Sequence, residues 1–186
     1  DGRLLTGGGD ERILMWEGAQ LRGEWRIPGA QKIRCIVRQE NEVFIGTTQG
    51  QGHLFAFDAN GDALEQVAET AGHSGGCYAA VWHPQKRAWI TGGRDGHLRV
   101  WRADQGELLA FPAHEGAIYR MAISGDNLWT ASRDKSMKAW RLDDLSPARK
   151  LTHRNGGSAR SINALACSEK AVMFGGDDRT GRLLHP

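Results

Sequence analysis

The sequence predicts an all-β protein built from repeated copies of one small sheet, and three observations lead to this fold class. A Gly-rich turn with an acidic residue, followed by a short apolar segment that ends on a large side chain, occurs four times in the 186 residues. Apolar and polar residues alternate in these segments, as they do in half-buried strands. Many of the 25 glycines lie between the segments, where turns require positive φ angles.

The copies follow one another in order at a nearly constant spacing. A fifth, weaker copy is second along the chain. The five copies end at Trp16, Phe57, Trp101, Trp140 and Leu184. These positions are spaced by 41, 44, 39 and 44 residues. A fixed period of about 40 residues indicates stacked copies of one supersecondary unit. We expect one domain of five units at approximately 1–27, 28–70, 71–111, 112–152 and 153–186.

The third and fourth copies carry the fullest set of motifs. The third contains Gly72-His73, Cys77 to Trp82, Ala88 to Gly93 and Leu98 to Trp101. The fourth contains Ala113-His114, Ile118 to Ile123, Leu128 to Ser132 and Met137 to Trp140. These copies resemble WD40 repeats, and the resemblance extends over essentially the whole chain. It implies that each unit is a four-stranded blade of a β-propeller.

The resemblance also implies a structural role for several polar residues. In WD40 repeats a histidine, a hydroxyl residue, an aspartate and a tryptophan form a buried hydrogen-bonded tetrad. The corresponding residues here are His73, Thr91, Asp95 and Trp101 in the third blade and His114, Thr130, Asp134 and Trp140 in the fourth. Although each set contains a His, Thr and Asp, we predict no catalytic residue among them, because a nucleophile requires a strained and exposed turn.

The second and fifth blades depart from this pattern. Gly29 and Ile45 replace the histidine and the hydroxyl residue in the second blade, and Phe174 and Leu184 replace the hydroxyl residue and the tryptophan in the fifth. We expect these two blades to be held by apolar packing.

The length of the chain corresponds to about four and a half blades, whereas WD40 rings usually have seven. The chain is expected to open at a second strand near Leu4 and to close after a third strand near Leu183. The remaining blades of the same propeller, or a second chain, would then be needed to close the ring. A five-bladed ring and a dimer of arcs are the alternatives.

Composition and charge bear on partners and location. The net charge of +2 and the absence of a Lys/Arg run argue against nucleic acid as a partner, and no apolar run approaches the length of a membrane span. The seven histidines show no metal-ligand spacing, so we expect no metal, no cofactor and no enzymatic activity. The three cysteines fall in predicted first strands as buried free thiols, which indicates a reducing compartment. We expect a cytoplasmic protein.

The resemblance places candidate binding residues on the top face of the propeller. Two positions per blade recur there in WD40 domains: one near the start of the first strand and one just before the turn aspartate. Here they are Tyr78 and Arg94, Tyr119 and Arg133, Arg34 in the second blade, and Asn163 and Asp177 in the fifth. Tyrosine gives rigid contact area and arginine a planar set of donors for carboxylate or phosphate.

We therefore predict a non-catalytic protein-protein interaction scaffold that binds a peptide or protein, with an acidic or phosphorylated segment as the hypothesis for its ligand. The alternative for the arginines is that they are ordinary solvated turn residues. Two other functions stay open: an enzyme whose catalytic residues lie in further blades or a fused domain, and a structural subunit that packs through its sides.

Overall fold

The computed structural model describes residues 2–185. In this part of the chain eighteen strands form five antiparallel sheets, and the strands of each sheet follow chain order. The first sheet contains β1 (Arg3–Gly7), β2 (Arg12–Glu17) and β3 (Gln20–Arg26). The second contains β4 (Ile33–Gln39), β5 (Glu42–Thr47), β6 (Gly52–Phe57) and β7 (Leu64–Glu69).

The third sheet contains β8 (Cys77–His83), β9 (Ala88–Gly93), β10 (His97–Arg102) and β11 (Gly106–Pro112). The fourth contains β12 (Ile118–Ser124), β13 (Asn127–Ser132), β14 (Met137–Arg141) and β15 (Pro147–Leu151). The fifth contains β16 (Ile162–Cys167), β17 (Val172–Gly176) and β18 (Gly181–Leu184), after one 3-10 turn at His153–Asn155. Residues 2–185 contain no helix that is long and apolar enough to cross a membrane.

The five sheets are the blades of a partial β-propeller. Neighbouring blades contact each other through their inner strands, with β1 against β4, β4 against β8, β8 against β12 and β12 against β16. The outer strands β3, β7, β11 and β15 are largely exposed. Antiparallel blades of this kind bury both faces against their neighbours and leave the outer strands in solvent.

The core is a series of apolar layers, each of which lies between two successive blades. The layer between blades 1 and 2 includes Ile13 and Phe55, and the layer between blades 3 and 4 includes Ile90 and Trp140. Phe44 and Trp89 belong to the layer between blades 2 and 3. Successive residues of a strand face opposite sides of the sheet, so one strand contributes to two of these layers.

Candidate functional site

A β-bulge occurs near the start of the first strand in each of blades 2 to 5. The strand pairing skips one residue in each case, and the skipped residues are Arg34, Tyr78, Tyr119 and Asn163. They are the four residues predicted for the first top-face position. A bulge leaves a residue unpaired and turns its side chain away from the regular alternation, so four equivalent positions present side chains outside the packed layers.

Three of these bulge residues lie in contact across blades 2 to 4. The rings of Tyr78 and Tyr119 are stacked, with centroids 6.1 Å apart and an angle of 24° between the planes. The guanidinium carbon of Arg34 lies 4.9 Å from the centroid of the Tyr78 ring, within the range of a cation–π interaction. We call Arg34, Tyr78 and Tyr119 the Arg-Tyr-Tyr ladder.

A glycine beside the ladder leaves room for one of its rings. A Cβ on Gly76 would lie 2.5 Å from a ring carbon of Tyr78, and Gly76 has a φ angle of +132°. A side chain at this position would therefore clash with the ring and strain the backbone. The Tyr78 ring can lie over the chain only because residue 76 is glycine.

Arg94 and Arg133 lie next to the bulges of their blades. The backbone N–H of Arg94 donates to the carbonyl of Gly76 at 2.9 Å, and the N–H of Arg133 donates to the carbonyl of Ala117 at 2.9 Å. Both side chains are exposed, and neither forms an ion pair within the described residues. Blades 3 and 4 thus each have an exposed arginine whose backbone is bonded next to the bulge of a tyrosine.

Blade 5 carries a different pair at the same positions. The backbone N–H of Asp177 donates to the carbonyl of Ser161 at 3.0 Å, which matches the two arginines. The side-chain amide of Asn163 donates to the Asp177 carboxylate at 2.8 Å. Asn163 therefore holds Asp177 by one hydrogen bond, and the one carboxylate among the predicted top-face residues lies on blade 5.

The structure adds cations that the sequence interpretation missed. Arg120 lines a concavity of about 300 Å³ together with Arg34 and Tyr78, and its guanidinium donates to the carbonyl of Tyr119 at 2.8 Å. Lys135 and Arg160 line a second concavity of about 450 Å³. A single arginine within the largely apolar segment Ile118–Ser124 was the signal that could have identified Arg120.

The tetrad residues of blade 4 form a continuous buried network. His114 contacts Thr130 through Nε2 at 2.7 Å and Asp134 through Nδ1 at 2.8 Å. The indole N–H of Trp140 donates to the Thr130 hydroxyl oxygen at 3.0 Å. The network joins the loop before β12 to β13 and β14.

The blade 3 network differs in one member. His73 contacts Thr91 and Asp95 at 2.9 Å each, as in blade 4. The Trp101 indole N–H, however, has no hydrogen-bond partner within the described residues, which corrects the four-membered network expected here. The Trp101 ring instead packs against Phe44 of blade 2, with centroids 5.4 Å apart.

Burial and hydrogen bonding shift the pKa of the network groups. Burial alone would raise the pKa of Asp134, but the hydrogen bonds from His114 and Ser136 outweigh it and lower that pKa well below its ordinary value. Burial lowers the pKa of His114. His114 is therefore neutral and Asp134 ionised near neutral pH, which suits a structural bond. Residues 2–185 contain no cluster of side chains able to hold a metal ion.

Comparison with known proteins identifies the repeats. The family model for the WD domain, G-beta repeat, matches residues 64–102 and 106–141. These two segments are WD40 repeats. The crystal structure of the computationally designed Ika8 protein superposes with a TM-score of 0.81 at 20% identity, over 100% of this chain and 56% of that chain. At this identity the superposition shows a shared fold.

Two curated relatives match this chain over most of its length. One is the ribosome biogenesis protein WDR12 homolog of Drosophila mojavensis, which is 28% identical. The match spans 75% of this chain and 39% of that relative. The other is human nucleoporin Nup43, which is 25% identical. The match spans 90% of this chain and 47% of that relative. The chain thus spans less than half the length of either relative.

The expected cytoplasmic location is wrong in the light of these relatives. A ribosome biogenesis protein and a nucleoporin point to the nucleolus and the nucleus. Composition and free thiols distinguish a reducing compartment from an oxidising one, but the cytoplasm and the nucleus are both reducing, so they could not be separated in this way.

Proposed function

We propose that this chain is a non-catalytic protein-interaction scaffold whose top face binds an acidic or phosphorylated segment of a nuclear partner. The WD40 relatives support the scaffold class. The observation that carries the proposal is the Arg-Tyr-Tyr ladder across three blades, together with the exposed arginines Arg94 and Arg133, whose backbones are bonded next to the bulges of blades 3 and 4.

The chemistry of this face suits an extended anionic peptide. The two stacked rings give a rigid surface that loses little side-chain entropy on binding. Arginine donates two parallel hydrogen bonds to a carboxylate or phosphate, and Arg94 and Arg133 need not break an ion pair to do so. Blade 5 is of mixed charge, because Asp177 lines one concavity together with Lys135 and Arg160, and the two exposed arginines of the predicted face, Arg94 and Arg133, lie on blades 3 and 4. We therefore place the acidic part of the ligand over blades 2 to 4.

A peptide-binding experiment tests this proposal. Acidic and phosphorylated peptides would be compared with matched peptides in which Asp and Glu are replaced by Asn and Gln, by fluorescence anisotropy at low and high salt. We expect the anionic peptides to bind more tightly and to lose affinity as salt rises. The double variant R94A/R133A should lose this preference, whereas R26A, which removes an exposed arginine of β3, should retain it. Equal binding of charged and neutral peptides would contradict the proposal.

We further propose that additional blades complete the ring. Leu4 and Leu21 are 59% and 50% exposed in blade 1, and Met173 and Leu183 are 55% and 60% exposed in blade 5. Apolar side chains of this size are seldom left in groups on the surface of a monomer. No strand pairing joins blade 1 to blade 5 in the described chain, so the proposed blades would cover both ends.

A further inference from the structure

Two of the three cysteines lie side by side between blades 2 and 3. Cys35 is on β4 and Cys77 is on β8, and both thiols are free. A Cβ atom on Gly46 would lie 2.7 Å from the Sγ of Cys35 and 3.0 Å from the Sγ of Cys77. Both sulfur atoms thus lie within 3.0 Å of one point beside Gly46. A disulfide needs two cysteines whose side chains point toward each other, and this arrangement provides them.

The strand register shows that the packing of the blades does not by itself require sulfur here. Cys35 pairs with Gly46 in blade 2, and Ala79 pairs with Gly92 at the same position of blade 3. The space beside Gly92 is filled by an isoleucine of blade 4, since a Cβ on Gly92 would lie 2.7 Å from the Cγ2 of Ile118. An aliphatic side chain thus serves at the equivalent interface, and the two thiols of blades 2 and 3 call for a chemical explanation.

The two thiols differ in their access to solvent. Cys35 is half-buried and lines the concavity of about 300 Å³ that also contains Arg34, Tyr78 and Arg120. Cys77 is only 1% exposed. A small reagent in the concavity can therefore reach Cys35, whereas Cys77 is covered and has the sulfur of Cys35 as its neighbour.

The charges around the two thiols favour the same order of reaction. Hydrogen bonding to Cys77 lowers the pKa of Cys35, and with the positive charges of Arg120 and Arg34 it outweighs burial. The interaction with Cys35 and burial both raise the pKa of Cys77 well above its ordinary value. For Cys167, burial alone raises the pKa to about 11. The thiolate is the reactive form of cysteine, so Cys35 should react before the other two.

We propose that Cys35 and Cys77 form a redox modification site for hydroperoxides, in which Cys35 is oxidised first and Cys77 then closes a reversible disulfide between blades 2 and 3. An accessible thiolate next to a second cysteine is a common arrangement in redox sensors. In a reducing compartment such a disulfide is transient. The site does not depend on the peptide binding proposed for the top face.

The reaction proceeds in two balanced steps. The Cys35 thiolate attacks one oxygen of the peroxide and breaks the O–O bond, which gives a sulfenic acid on Cys35. The other oxygen takes up the proton that Cys35 released and leaves as an alcohol or as water. The sulfur of Cys77 then attacks the sulfenic sulfur, and the departing hydroxide takes the Cys77 proton to form a second water. The protein loses two hydrogen atoms, and a dithiol reductant restores both thiols by exchange.

The disulfide would lie next to the Arg-Tyr-Tyr ladder. Arg34 precedes Cys35 and Tyr78 follows Cys77 in the sequence, and the guanidinium carbon of Arg34 lies 4.9 Å from the centroid of the Tyr78 ring. A covalent bond between the two cysteines would therefore hold the first two members of the ladder at a fixed spacing.

The test treats the reduced 186-residue chain with hydrogen peroxide and analyses the products by mass spectrometry. We expect the intact monomer to lose two hydrogen atoms. After digestion without reductant, a peptide that contains Cys35 should be joined to one that contains Cys77, and dithiothreitol should reverse both changes. C167S is the matched control, because it removes the third thiol and should form the same cross-link.

Single variants separate the two roles. C77A should stop at a sulfenic acid on Cys35, which dimedone traps, and C35A should form no cross-link. Circular dichroism shows whether each variant is folded. The products of the wild type and of C167S decide the outcome if either variant does not fold.

Three results would overturn the proposal. A cross-link that involves Cys167 or joins two chains would show that the pair is not the preferred site. Oxidation of Cys35 to a sulfinic acid without a cross-link, in the folded wild type, would show that the two sulfur atoms do not meet. Failure of Cys35 to react faster than Cys167 would show that its surroundings do not activate it.

Discussion

At the scale of single residues, Trp101 and Trp140 occupy equivalent positions and have different hydrogen bonds. Trp140 donates to the hydroxyl oxygen of Thr130, whereas the buried N–H of Trp101 has no acceptor in the described chain. Both rings are almost fully buried. The neighbours of the two rings also differ, since Phe111 packs against Trp140, whereas Ala68 and Trp101 line one cavity.

This difference predicts unequal effects of the same substitution. We expect W140F to lower the free energy of unfolding by about 1 kcal/mol more than W101F, since only Trp140 loses a hydrogen bond while both lose similar ring packing. Urea unfolding followed by circular dichroism measures the two values. Equal losses would show that the bond to Thr130 contributes nothing to stability.

Acid sensitivity should come in part from the blade 4 network. The pKa of Asp134 is lowered in the folded chain, so its stabilising contribution is complete above the ordinary carboxyl pKa of about 4 and is lost as the pH falls further. The pKa of His114 is also lowered in the folded chain, so the free energy of unfolding falls further as the pH drops below about 6.5.

We expect D134N to lower the free energy of unfolding at pH 7. Below about pH 4 the free energy of unfolding should decrease less steeply in D134N than in the wild type. The control is D62N, at an aspartate whose side chain is 76% exposed. Urea unfolding at pH 7 and pH 3 checks both expectations. A pH profile of D134N that parallels the wild type would remove Asp134 from the explanation of acid sensitivity.

At the scale of elements, each outer strand contributes one residue to the layer between its own blade and the next. Trp25, Phe111 and Leu151 pack in these layers, and Ala68 packs less completely. The first strands show a second common device, the bulge that presents the top-face residues. Regular pairing thus builds the layers, and one irregularity per blade builds the candidate surface.

The packing of the outer strands can be tested at blade 3. We expect F111A to lower the free energy of unfolding by about 3 kcal/mol, the lower end for loss of a core phenylalanine, because this side chain is only half-buried. The control is V67A, since Val67 is 53% exposed on β7. Urea unfolding measures both. A loss in F111A no larger than in V67A would contradict the packing role.

At the scale of the whole molecule, the chain is an arc of five blades whose packed layers lie between neighbours. Exposed apolar side chains gather at the two ends of this arc, with Leu4 in blade 1 and Met173 and Leu183 in blade 5. The strand β18 is the last of its sheet and has one free edge. Free edges and apolar faces promote association with other chains.

We therefore expect the 186-residue chain by itself to self-associate through its ends. The double variant M173K/L183K should reduce the average mass in sedimentation velocity, because it places charge on the exposed apolar face of blade 5 and on its edge strand β18, and both changes oppose association. L108K is the control, since Leu108 is 46% exposed on β11, in the middle of the arc. Equal reduction by L108K would indicate association through the outer strands instead.

The sequence by itself determined the all-β class, the period of about 40 residues and the WD40 type of the repeat. These features are local: the alternation of apolar residues and the turn chemistry lie within one copy. The positions of Arg94 and Arg133 beside their bulges also follow from each copy alone, and their role in binding stays a prediction.

Only the tertiary structure decided what lies between the blades. Arg34 contacts Tyr78 across two blades. The cavity beside Ala68 is likewise lined by residues of blades 2 and 3. The residues that meet in the Arg-Tyr-Tyr ladder lie about one repeat apart in sequence. Packing of this kind depends on the shapes of both blades together, and no single copy contains that information.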